Sequence, residues 1–175
     1  MNPYLIILFL IFFDLSFAEM IIGRETISPG VNIVFEGAPK DIVHPENYFL
    51  NETDTDIHIE MLANWSDEAP EGSPLGGFVA YLGVSAVIES ANGKINHVQL
   101  TPHLNMSDNL HYAQNIKLPG TLDELYSITF TIYPALENKI GIHYDWDKMV
   151  GKYVQQSTFT YENLDFKDIA LSKRR

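Results

Sequence analysis

Cysteine is absent from the 175 residues of this chain. Its absence removes disulfides, thiol catalysis, iron–sulfur clusters and zinc–thiolate sites, and leaves no residue for a bacterial lipoprotein anchor. Cations are scarce as well: 11 Lys and Arg stand against 23 Asp and Glu, for a net charge of −12. Nucleic acid and anionic membrane both require clustered cations, so neither is an expected partner. The basic run Lys173-Arg174-Arg175 is too short to change that. There is no Gly-x-Ser-x-Gly elbow, no phosphate-binding glycine loop, no His-Glu-x-x-His and no calcium loop. No segment after residue 20 carries a helical period of apolar residues.

No apolar run reaches the roughly 20 residues that cross a bilayer. The unbroken run 4–13 is followed by Ser16-Phe17-Ala18, small residues that suit signal-peptidase cleavage before Glu19. Residues 1–18 are therefore expected to be a signal peptide. Residues 19–168 are then the folded domain and 169–175 a frayed basic C-terminal tail. Export of a domain without disulfides fits the periplasm, with no membrane insertion of the mature chain. Asn51, Asn64 and Asn105 lie in Asn-x-Ser/Thr triplets, which arise easily by chance.

The rest reads as strands. Residues 125–133 alternate, with Tyr126, Ile128, Phe130 and Ile132 on one face and Ser127, Thr129 and Thr131 on the other. Residues 78–89 and 94–101 flank Asn92-Gly93, a hairpin turn signal. Further strands are expected at 31–35, 55–62 and 153–161. Frequent Pro and Gly between them predict one all-β domain, an Ig-like antiparallel β-sandwich.

The chemistry-bearing residues fall in three segments. In Asp56-Ile57-His58-Ile59-Glu60, strand alternation puts Asp56, His58 and Glu60 on one face. His103 to Tyr112 lacks alternation and reads as a loop holding Met106, Asp108 and His111. Gly141-Ile142-His143-Tyr144-Asp145 reads as a second loop. Imidazoles beside carboxylates are the donor set of a divalent transition metal, and a thioether at Met106 would suit Cu(I). The ordinary alternatives are a polar strand face, a gap-filling methionine and a solvated turn. His44 and His97 read as structural.

In order and spacing these motifs resemble the periplasmic iron-transport family typified by Campylobacter P19 and Treponema Tp34. Asp56 to Glu60 match its Asp-Ile-His-Leu-Glu element, and Ala80-Tyr81-Leu82 its Pro-Tyr-Leu strand. Asp108, His111, Tyr112 and Asn115 match its histidine loop. Gly141, His143, Val150, Gly151 and Lys152 match its last element. The resemblance implies a homodimeric Ig-like sandwich that is not an enzyme, binds copper or iron, and serves an inner-membrane ferrous-iron permease. Zinc is a further candidate in vitro. The implied metal residues are His58, Glu60, Met106, Asp108, His111 and His143. The family methionine falls at Leu104 in this chain, with Met106 and His103 as neighbouring candidates for its place. Two rival readings are a secreted Ig-like interaction module without metal, and a copper- or iron-dependent redox enzyme. Coordination by imidazoles would weaken as pH falls toward their ordinary pKa near ~6.5.

Overall fold

Eight strands fold into an antiparallel sandwich in the computed structural model, which describes residues 19–136 and 139–174. The expected signal peptide, residues 1–18, lies outside the described residues. The strands are β1 (Met20–Ile27), β2 (Val31–Pro39), β3 (Ile57–Trp65) and β4 (Gly83–Ser90). They continue with β5 (Ile95–Asn105), β6 (Asn109–Ile116), β7 (Tyr126–Tyr133) and β8 (Ser157–Leu164). Two short α-helices, α1 (Tyr144–Met149) and α2 (Lys167–Leu171), and a single 3-10 turn at Glu52–Asp54 complete the description. Neither α-helix was expected, and helices of 6 and 5 residues are too short to display a period. No helix among the described residues is long and apolar enough to cross a membrane.

The strand order is β1-β2-β3-β6-β5-β4-β7-β8. Strand β5 belongs to both layers. Its first half, up to Leu100, pairs with β4, and from Thr101 onward it pairs with β6. Pro102 has no N–H to donate, but β5 has already left β4 at that point. The Asn92-Gly93 hairpin joins β4 to β5 as expected, with Gly93 at φ 76.

The layers meet through residues whose alternation was visible in the sequence. Phe35 of β2 stacks on Phe130 of β7 with ring centroids 4.1 Å apart. Ile128, Ile132, Val84 and Ile88 of one sheet are buried with Ile33, Ile57, Ile59 and Met61 of the other. At the outer edges Tyr161 of β8 reaches β1, where its hydroxyl donates to Glu25 Oε1 at 2.8 Å. Gly23 leaves room for the Tyr161 ring, which would have to shift if a Cβ stood there.

Where a frayed tail was expected, α2 docks on the sandwich with Ile169 and Ala170 buried and Phe166 wholly enclosed. Gly37 lies against the Phe166 ring; a Cβ there would stand 3.2 Å from it and press the ring aside by a few tenths of an ångström. This anchoring carries Arg174 across the face of the first sheet.

Candidate metal centre

Strand β3 and the second half of β6 are enclosed on both faces. Ile57, Ile59 and Met61 of β3 enter the core, as alternation predicts. His58 and Glu60 share the opposite face, yet that face is not solvent: His58 is 2 % exposed and Glu60 0 %. Across the β3–β6 pair, His58 stands opposite Asn115 and Glu60 opposite Ala113. Across β6–β5, His111 stands opposite His103. Alternation along β6 puts His111, Ala113 and Asn115 on one face. Ala113 contributes only a methyl group between the two larger side chains.

Three imidazoles converge there. The His58 ring centroid lies 5.3 Å from that of His103 and 6.4 Å from that of His111. Each of the three offers a nitrogen, and these lie within 4.8 Å of one another. All three residues are buried. Phe49 meets the His103 ring edge-on at 4.9 Å and fixes its plane. The three rings line a cavity of about 330 Å³ together with Asp41, His44 and Arg174.

Hydrogen bonds settle which nitrogen faces the cavity. The Asn115 Nδ2 group donates to the carbonyls of Asp41 and Leu50, both at 2.8 Å. Its Oδ1 must then accept, and it receives His58 Nδ1–H at 2.7 Å. His111 Nδ1–H donates to the Asn109 carbonyl at 3.0 Å. Both rings therefore spend Nδ1 on the protein and leave Nε2 as the nitrogen a metal would take. His103 Nε2 is buried without any hydrogen-bond partner. Burial lowers the pKa of His58 to about 4, and burial with the nearby His111 lowers that of His103 to about 4. Desolvation disfavours the imidazolium, so at neutral pH these two rings are neutral donors.

A patch of carboxylates adjoins the imidazoles. Oxygens of Glu19, Glu60 and Asp108 lie within 4.8 Å of one another. Neither oxygen of Glu60 has a hydrogen-bond partner. Burial, then the charge of Glu19, pushes the Glu60 carboxyl up to about 8. Burial, followed by the charges of Glu19 and Asp108, raises Glu36 to about 7. The 3.6 Å approach of His58 Nε2 to Glu60 Oε1 is accordingly a contact of two neutral groups at pH 7, not an ion pair.

Of the residues expected to bind metal, His58, Glu60, Asp108 and His111 come together. His103 joins them; it was considered only as a substitute for the missing methionine. Leu104 faces away, as its neighbour on a strand must, and is 71 % exposed. Met106 sits on the turn between β5 and β6, fully exposed. His143 is exposed at the start of α1, beside a cleft lined by Trp65, Trp146 and Tyr153. Trp65 ends the strand that His58 nearly begins, seven residues away, or roughly 23 Å at 3.3 Å per residue. Within one chain His143 does not reach the cluster. The supporting role of Asn115 was not read from sequence, although Asn115 itself was matched to the family loop.

Replacing Asn115 with leucine removes the acceptor that fixes the His58 tautomer and leaves two backbone carbonyls without their donor. Loss of such a supporting partner lowers metal affinity by about 10–100-fold. Competition titration with a chromophoric chelator measures this. Unchanged copper(II) affinity would show that the His58 ring is positioned by packing alone.

The family model described as Fe2+ transport protein matches residues 16–168. A UPF0423 protein of Brucella abortus (strain 2308) is 27% identical over 148 residues, covering 82% of this chain and 80% of that protein. Copper-reconstituted P19 of Campylobacter jejuni superposes with a TM-score of 0.70 at 24% identity, over 83% of this chain and 94% of P19. FetP of uropathogenic Escherichia coli strain F11 superposes with a TM-score of 0.68 at 22% identity, over 85% of this chain and 96% of FetP.

Proposed function

Because this chain belongs to the Fe2+ transport protein family, we propose that it is a periplasmic, non-enzymatic protein of a ferrous-iron uptake system that holds copper or iron. The observation that carries this reading is the cluster of three buried imidazoles, each with a nitrogen within 4.8 Å of the others. His58, His103 and His111 supply nitrogen donors. Glu60 and Asp108 supply oxygen on the adjoining side. This set of nitrogen and oxygen donors suits Cu(II), ferrous iron and zinc, and lacks the thioether that favours Cu(I). The P19 structure named above was reconstituted with copper, which supports the same metal for this site.

The protein acts as a homodimer beside an inner-membrane permease in this reading. His143 is exposed and stands a strand-length from the cluster of its own chain. It can serve as a ligand only from a second copy. His143→Ala should then weaken metal binding by the dimer while leaving the three-imidazole cluster intact.

Proton release tests the donor set. With pKa values of about 4, His58 and His103 stay neutral well below the ~6.5 of a free imidazole, so acid weakens their coordination only near that lower value. Glu60, held near 8, is protonated at pH 6.5 and must lose its proton to ligate. Mn(II), which seeks oxygen donors, should on binding at pH 6.5 release about one proton per ion, falling toward none above pH 8. Affinity should rise with pH across that window, because the cation stabilises the deprotonated carboxylate. Glu60→Gln should abolish the release. Copper binding that survives removal of His58 would sink the reading as a whole.

A further inference from the structure

Arg174 is the one cation aimed at the carboxylate side of the centre among the described ion pairs. Its Nη1 lies 3.5 Å from Asp41 Oδ2 and 3.8 Å from Glu60 Oε1. Its Nη2 lies 3.7 Å from Glu19 Oε1 and 3.9 Å from Asp108 Oδ2. The same side chain lines the cavity of His58, His103 and His111. It arrives there because α2 is pinned by Phe166, Ile169 and Ala170, and because Ser172 N–H and Oγ–H both donate to the Asp168 carbonyl.

The geometry is unlike that of a structural arginine. A guanidinium that locks onto a carboxylate does so through paired hydrogen bonds of about 2.7–2.9 Å. All four contacts of Arg174 are longer than that, so the group is held by the surrounding negative charge rather than by directed bonds. Glu60 remains fully buried with both oxygens unbonded, and those oxygens face the same space. A buried polar group without a partner is costly. A single positive charge at nearly 4 Å only partly offsets that cost. A divalent ion bonded to these oxygens at about 2.0–2.6 Å, in place of the carboxyl proton, would satisfy them directly and bring twice the positive charge to the neighbouring Glu19 and Asp108.

We propose that Arg174 is a tethered cation that occupies the carboxylate half of the centre and is expelled when a divalent metal binds there. It tunes which metals the centre accepts. An ion content with the three imidazoles can enter while Arg174 stays in place. An ion that demands oxygen donors, such as Mn(II) or ferrous iron, must displace it. The inference rests on the metal-binding reading above, but it concerns the oxygen side alone.

Mn(II) is a redox-silent probe of that side, and copper(II) a probe of the imidazoles. Both are titrated into wild type, Arg174→Gln and Arg174→Lys. Arg174→Gln should bind Mn(II) about tenfold more tightly or better, and copper(II) within about threefold of wild type. Arg174→Lys, which keeps the charge, should resemble wild type with Mn(II). In the metal-free state Arg174→Gln should melt at lower temperature than wild type, and Mn(II) should restore it. Equal or weaker Mn(II) binding by Arg174→Gln would overturn the proposal, as would a lysine variant indistinguishable from the glutamine one. His58→Ala, tested in parallel with copper(II), separates the two failures. If copper binding is lost with His58 while Arg174→Gln changes nothing, the metal centre stands and the tethered cation falls.

Discussion

His103→Ala should reduce copper(II) affinity by at least about 100-fold, as much as His58→Ala or His111→Ala. A supporting residue that never touches metal is worth about 10–100-fold in comparable sites, so a donor should exceed that range. The expectation rests on three properties of His103. Its Nε2 is buried with no partner. Burial and the neighbouring His111 keep its ring neutral at physiological pH. Its place opposite His111 is set by the β5–β6 pairing. His97 on the same strand is the internal control: it is exposed, and His97→Ala should leave affinity unchanged. Chelator competition on the three variants and the control decides the matter. If His103→Ala binds copper as wild type does, the three rings are a packed polar cluster and the centre is built from His58 and His111 alone.

Phe130→Ala should destabilise the fold by about 3–5 kcal/mol, the usual range for deleting a buried aromatic side chain. Phe130 is wholly buried in the seam between the sheets, stacked 4.1 Å from Phe35. The stack adds roughly 0.5–1.5 kcal/mol beyond simple burial. Against a total stability of about 5–15 kcal/mol, such a loss leaves little in reserve. Denaturant titration should show a lower midpoint with an unchanged slope. Leu104→Ala, at a site 71 % exposed, should fall within about 0.5 kcal/mol of wild type. A small effect at Phe130 would mean that the seam recloses around the cavity.

The loop expected between His103 and Tyr112 proved to be two paired strands and a turn. Alternation failed as a signal there for a physical reason. Tyr112 and Ile116 of β6 face the hydrophobic core, while His111, Ala113 and Asn115 face the centre, and all five are buried. A strand enclosed on both sides, with polar groups on one of them, shows no clean exchange of apolar and polar residues. The β7 strand was legible because its second face carries Ser127, Thr129 and Thr131, which remain partly open to water.

By itself the sequence determined the all-β class, the absence of thiol chemistry, the family resemblance and the candidacy of His58, Glu60, Asp108 and His111. The first two follow from alternation and residue type, and the candidacy of the site residues from the order of the motifs that carry the resemblance. The tertiary structure alone decided that His103 meets His111, that His143 lies far from the cluster of its own chain, and that Arg174 lies among the carboxylates. Those placements depend on register between strands distant in sequence and on the docking of α2. Pairing and docking are set by which faces the whole sandwich buries, and no local spacing of side chains encodes them.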